Sequence, residues 1–154
     1  MKPIQVDVAV IGAGTAGMGA YRAARALTDS VLLIEGGAFG TTCARVGCMP
    51  SKLLIAAAEA AHQARHAGPF GVQVKEVTVD GAAVMARVRR ERDRFVGFVL
   101  ETVDAIAPAD RLLATVKFQD AHTLVTEHGQ QIHARRIVIA TGSIPVLPPV
   151  LKGL

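Results

Sequence analysis

The 154 residues contain no tryptophan, and aromatic side chains make up only 4% of them. Recognition of nucleic-acid bases by stacked rings is therefore poorly served. The one dense basic run, Arg87 to Arg94, carries Glu91 and Asp93 of its own. On a helix Arg87 and Glu91, and likewise Arg89 and Asp93, fall one turn apart, which favours a solvated ion-paired face. No nucleic-acid partner is expected. Long apolar runs are also missing. The longest, Leu53 to Ala61, is too short to cross a bilayer and includes Glu59, so no membrane association is expected. Cysteine occurs only twice. Lys2 precedes an apolar run that Asp7 interrupts and glycines follow, which reads as a strand and not as a signal peptide. A close cysteine pair outside the secretory route is more often catalytic or metal-binding than structural. A cytoplasmic protein is expected.

What the chain does have is apolar content of 51% and fifteen glycines. That is one domain's worth of chain, able to bury a core and pack helices tightly on a sheet. Ile4 to Ile11 is β-branched and compact, as a buried parallel strand requires. A Gly-rich turn, a helix over Ala16 to Leu27 and a strand over Val31 to Glu35 follow, the first half of a doubly wound sheet. A polar loop spans Gly36 to Thr42, and a long helix is expected from the cysteines to about Ala67, ended by Gly68-Pro69-Phe70-Gly71. A second helical pattern covers Val79 to Ala107 before Pro108. Short strands are expected at Leu112–Phe118, Thr123–Thr126 and Gln131–His133, with Arg136 to Ala140 returning to the parallel sheet. Ile144 to Leu154 holds three prolines and reads as an extended linker.

Gly12-Ala13-Gly14-Thr15-Ala16-Gly17 follows a strand and opens a helix. Gly12 permits the tight turn, Gly14 lets the backbone approach a pyrophosphate, and Gly17 allows close packing of helix on strand. Glu35 ends the next strand, where a carboxylate can accept hydrogen bonds from an adenosine ribose. An acid there repels a 2′-phosphate, so NADP is not the expected occupant. The pattern does not distinguish FAD from NAD.

Cys43 and Cys48 lie five apart in Gly40-Thr41-Thr42-Cys43-Ala44-Arg45-Val46-Gly47-Cys48-Met49-Pro50-Ser51-Lys52. An ideal helix holds such residues roughly 8–9 Å apart, and a disulfide needs less than about 7 Å. Bonding the pair requires a distorted first turn, for which Gly47 and Pro50 supply the freedom. A thiolate at a helix start, with Lys52 one turn beyond Cys48, is expected to have a lowered pKa. Two readings compete: buried, inert cysteines, and a zinc site with His62 and His66 as further ligands. By helix rise they sit about 20 Å from the cysteines, so they read as solvated helix residues and no metal site is expected.

Taken together, Gly12 to Gly17, Glu35, Thr42-Cys43, Val46-Gly47-Cys48, Pro50-Ser51-Lys52 and Ala140-Thr141-Gly142-Ser143 resemble the N-terminal FAD part of the pyridine nucleotide–disulfide oxidoreductases, dihydrolipoamide dehydrogenase above all. The resemblance implies an α/β, Rossmann-like FAD-binding domain with a parallel sheet, long helices and a small antiparallel meander. It implies electron passage between NAD(H), FAD and a Cys43–Cys48 disulfide. Cys43 would exchange with substrate and Cys48 would face the flavin, with Lys52 beside the flavin ring. Gly40 and Thr42 would join the cofactor site, Thr42 at the pyrophosphate. The strand around Val116 would hold adenine, and Thr141, Gly142 and Ser143 would form a second flavin-proximal motif. The substrate would be a small-molecule disulfide or a protein-bound lipoyl group, and the full-length protein a homodimer.

Two departures stand out: Thr41 where the family usually has Gly, and Arg45 where it commonly has Asn. The family's chains are about three times longer. Residues 1–143 are therefore expected to be the N-terminal part of an FAD-binding domain, and 144–154 a linker toward an NAD domain. No complete turnover is expected from this chain alone. Glutathione or mercuric reductase remain alternatives within the family. A stand-alone dinucleotide-binding thiol switch is the alternative outside it.

Overall fold

The computed structural model describes residues 2–144, 146–151 and 153; Pro145, Lys152 and Leu154 of the expected linker lie outside the described residues. The chain forms two compact units, one of residues 1–38 and 107–154 and the other of 39–106.

The first unit is built on a mixed sheet. Strand β1 (Ile4–Ile11), helix α1 (Thr15–Arg25) and strand β2 (Val31–Glu35) form the expected βαβ unit, with β1 and β2 parallel and Val8 opposite Val31. Helix α1 buries Gly17, Met18, Tyr21 and Ala24, one stripe at helical spacing. β2 is buried along Val31 to Ile34, as a strand covered on both faces should be. The sheet continues with β3 (Arg111–Leu113), β4 (Val116–Phe118), β5 (Thr123–Thr126) and β6 (Gln131–Ile139), in the order β3-β2-β1-β6-β5-β4.

Two expectations are corrected here. Leu112–Phe118 is not one strand: β3 pairs parallel with β2, whereas β4 pairs antiparallel with β5. Conversely, the strands expected at Gln131–His133 and Arg136–Ala140 are one, β6, which ends at Ile139. β6 pairs antiparallel with β5 through its first three residues and parallel with β1 along most of its length.

This topology forces the sheet to curl. In a flat sheet its two edge strands would stand roughly 24 Å apart, five spacings of about 4.8 Å. Only Ala114 and Thr115 connect Leu113 to Val116, which at full stretch spans about 11 Å. Both linking residues are tied down: Ala114 N–H donates to Glu35 O at 2.8 Å, and Thr115 O accepts Glu127 N–H at 3.1 Å. The curl encloses a core of Ala9, Leu32, Ile34, Leu124, Ile132 and Ala134, bringing β5 onto β2 although two strands separate them in the sheet.

The second unit pairs two long helices. The single helix expected from the cysteines is two: α2 (Thr42–Arg45) and α3 (Cys48–Arg65), parted at Val46–Gly47. Helix α4 (Gly81–Asp104) starts at Asp80, whose carboxylate accepts Ala83 N–H at 3.0 Å. Its basic run is an ion-paired face as expected, but with different partners. The pairs are Arg90–Glu91, Arg92–Asp93 and Arg94–Glu91, at 3.3, 2.7 and 3.5 Å. In the tail, Pro149–Leu151 forms a single 3-10 turn where an extended segment was expected.

Candidate functional site

In the first unit the Gly-rich turn is held from two sides. Gly12 has φ of 102° and lies so close to the end of β6 that an added Cβ would meet Ala140 O at 2.3 Å. At Gly17 an added Cβ would reach Gly12 O at 1.7 Å. Both positions are closed to any side chain by the protein's own backbone. Gly14 differs. It precedes α1 with φ of −75°, and an added Cβ would meet no heavy atom within 4 Å. Packing does not require glycine there; the absent side chain keeps open the space beside the α1 N-terminus. That end has no side-chain cap and no acidic residue in its first turn. Its free N–H groups and positive dipole end suit an anion.

Glu35 completes this cradle in a way that sequence spacing does not reveal. Its Oε2 accepts the Ala13 N–H at 2.8 Å, and its Oε1 accepts the Gly37 N–H at 2.9 Å. The carboxylate thus fixes both the turn after β1 and the turn after β2, with lone pairs left for a further donor. Thr115 borders the same loop, its Oγ1 lying 3.2 Å from where a Gly36 side chain would begin. That places Val116 one residue from the segment following Glu35. The unit therefore gathers Gly12, Gly14, Gly17, Glu35 and Thr141 around one turn. Gly142, with φ of 69°, and Ser143 are exposed just beyond.

The second unit holds Gly40, Thr42, Cys43, Cys48 and Lys52. The break between α2 and α3 is what brings the cysteines together. Gly47 lies against the preceding turn, where an added Cβ would meet Thr42 O at 3.1 Å and Cys43 Cα at 3.6 Å. Cys43 is half-buried, Cys48 is exposed and both are free thiols. Their sulfurs are within hydrogen-bond reach, and this contact is the main reason the Cys43 thiol is pushed up from its ordinary range. Burial and the Cys48 charge act the same way, while the Cys48 backbone N–H, donating to the Cys43 sulfur, opposes them. The expectation of a lowered thiol pKa is thus corrected at Cys43: a neighbouring thiol stabilises the protonated form more than the helix start stabilises the thiolate. Lys52 is exposed one turn beyond Cys48.

Thr41 carries a feature that glycine counting misses. Its φ of 56° and ψ of 145° make it the one non-glycine residue with positive φ among the described residues. This backbone conformation is nearly confined to glycine. The Thr41 Oγ1 accepts Ala44 N–H at 3.1 Å, capping α2. The loop keeps a glycine geometry on a β-branched residue and gains a cap.

The sequence profile described as Pyridine nucleotide-disulphide oxidoreductase matches residues 6–154. The chain belongs to this family. Members bind FAD and, in another domain, a pyridine nucleotide. A mercuric reductase of Streptomyces lividans is 36% identical over 153 residues, covering 92% of this chain and 31% of that protein. A dihydrolipoyl dehydrogenase of Geobacillus stearothermophilus is 30% identical over 155 residues, covering 97% and 32%. Among solved structures, the HOCl-induced flavoprotein disulfide reductase RclA from Escherichia coli superposes with a TM-score of 0.66 at 25% identity, covering 93% of this chain and 29% of that one. The chain spans about a third of the length of the relatives it matches. Family membership accounts for the fold found here: an α/β unit with a mixed sheet, in which parallel strands carry the Gly-rich turn.

Proposed function

We propose that this chain is the FAD-binding part of a flavoprotein disulfide oxidoreductase, with Cys43 and Cys48 as its redox pair. The observation that carries the reading is the α2–α3 break, where Gly47 packs against Thr42 and Cys43 and so turns Cys48 back toward Cys43. Two neighbouring thiols can release two electrons and two protons to become a disulfide.

The cradle fits the cofactor: the open space at Gly14 and the α1 N-terminus would take the pyrophosphate, and Glu35 the adenosine ribose. In the first unit the backbone at Val116 would border adenine and Thr141-Gly142-Ser143 would serve the flavin; in the second, Gly40, Thr42 and Lys52 are the proposed cofactor-binding residues. Residues 1–143 would form this part, and 144–154 would lead on toward a nicotinamide-binding domain. FAD, when bound, relays an electron pair between a reduced nicotinamide and the protein disulfide. In the reductive direction Cys43, as thiolate, attacks the substrate sulfur and displaces one thiol. Cys48 then attacks the mixed disulfide, releasing the second thiol and re-forming Cys43–Cys48. Electrons balance, since one substrate disulfide is reduced as one protein dithiol is oxidised.

The substrate reading within the family is a small-molecule disulfide such as lipoamide, or a protein-bound lipoyl group. A specific observation favours a second reading, mercuric ion, because the mercuric reductase match has the higher identity, 36% against 30%. Arg45 in place of asparagine beside the pair is compatible with either. FAD binding is tested by titrating the chain with FAD and following flavin fluorescence. Saturation at one FAD per chain, weakened in Gly14→Val, supports the reading, and no saturable binding overturns it. The substrate is tested in protein carrying the nicotinamide domain, by comparing NADH oxidation with lipoamide and with Hg(II).

A further inference from the structure

The C-terminal turn of α3 carries a pair of side chains that the disulfide chemistry does not use. His62 and His66 lie four residues apart, both exposed, with ring centroids 4.1 Å apart and ring planes 26° from parallel. The His66 Nδ1 lies 2.8 Å from the His62 carbonyl oxygen. A carbonyl oxygen only accepts, so Nδ1 carries the proton and the free lone pair of His66 lies on Nε2. A histidine bound to a metal is ordinarily held in this way, its other nitrogen donating to a carbonyl or carboxylate.

We propose that His62 and His66 form a surface chelate for a divalent transition-metal cation of the zinc, nickel or copper(II) class. Imidazole nitrogens suit these ions. Two nitrogens sharing one such ion at 2.0–2.1 Å stand about 3 Å from each other, and the rings already lie side by side at 4.1 Å. With His66 held by its Nδ1 contact, turning the exposed His62 ring about its own side-chain bonds would bring a nitrogen of each ring to the shared ion. The pair also sits at the helix C-terminus, where the dipole favours a cation. Water fills the remaining coordination positions. No group of three or more ligating side chains occurs among the described residues. The site is therefore a two-histidine chelate, open to exchange. Neither histidine takes part in the dithiol chemistry, so this inference stands apart from the proposed function.

The test uses the full chain with Cys43 and Cys48 alkylated, so that thiols do not compete, titrated with Ni(II) by calorimetry. The expected result is one Ni(II) per chain, with affinity falling on the order of a hundredfold in His62→Gln and in His66→Gln as the chelate becomes monodentate. Circular dichroism checks that both variants keep their helices. A second readout needs no variant: Cu(II) bound to the alkylated chain should show two equatorial nitrogens by electron paramagnetic resonance. No saturable Ni(II) binding overturns the proposal. So does binding unchanged in both variants, which would place the ion at His122, His128 or His133. A single equatorial nitrogen overturns it as well.

Discussion

Glu35 ties the two turns of the βαβ unit together, its Oε2 accepting Ala13 N–H at 2.8 Å while Oε1 accepts Gly37 N–H at 2.9 Å. A residue placed by spacing as a ribose ligand is therefore also a structural clamp. Glu35→Ala should leave both N–H groups without their acceptor and destabilise the chain by about 1–3 kcal/mol. Glu35→Gln keeps one carbonyl acceptor and should lose less. Urea midpoints of the two variants check the order, and equal losses would contradict the clamp.

The three glycines of the turn should separate into two kinds. Gly17→Ala forces a Cβ onto Gly12 O at 1.7 Å, a backbone collision that costs several kcal/mol or prevents folding. Gly14→Ala meets no atom and should change stability by less than about 0.5 kcal/mol. Its effect should appear in FAD affinity instead. Thermal midpoints together with FAD titration distinguish packing from ligand clearance at these two positions.

Thr41 predicts an unusual gain. Thr41→Gly relieves a positive-φ conformation worth about 1–3 kcal/mol and loses a cap for which glycine costs only a few tenths of a kcal/mol. A net stabilisation of about 1 kcal/mol is expected. Thr41→Ala keeps the strain and loses the cap, so it should destabilise. Denaturant unfolding of both variants should move the midpoint in opposite directions.

Cys43 should alkylate late. Its thiol is pushed up chiefly by the hydrogen bond with Cys48, then by burial. The protonated form is the one favoured in the fold, so thiolate reactivity should set in at higher pH than for an ordinary thiol. In Cys48→Ala the largest cause is removed and the Cys43 profile should shift to lower pH. Iodoacetamide rates measured by peptide mass across pH check the direction.

Much of this was legible in the sequence because local rules decided it. Strands β1 and β2 and the Gly-rich turn follow from β-branched runs and glycine placement, and α4 ends close to Pro108 as expected. The sequence resemblance that pointed to the family agrees with the profile match. What stayed hidden was non-local. Nothing local says that Leu113 and Val116 serve opposite edges of one sheet, because the curl that joins them is set by β6 pairing on both sides. The split of the cysteine helix at Gly47 was anticipated as a distortion, but its extent depends on the contact with Thr42. The direction of the Cys43 shift could not be read from a helix start alone, because the dominant neighbour is the other sulfur. Thr41 is visible in the sequence as a departure from glycine, while its positive φ is set by the folded loop.

The redox role of the cysteine pair is tested most directly by absorbance of the FAD-loaded chain before and after two-electron reduction of its disulfide. Oxidation should first remove both free thiols and two hydrogens by mass. On reduction, a long-wavelength band from a thiolate against the flavin should appear, persist in Cys43→Ser and vanish in Cys48→Ser. A pair that resists oxidation, or a band that survives loss of Cys48 and disappears with Cys43, would contradict the account.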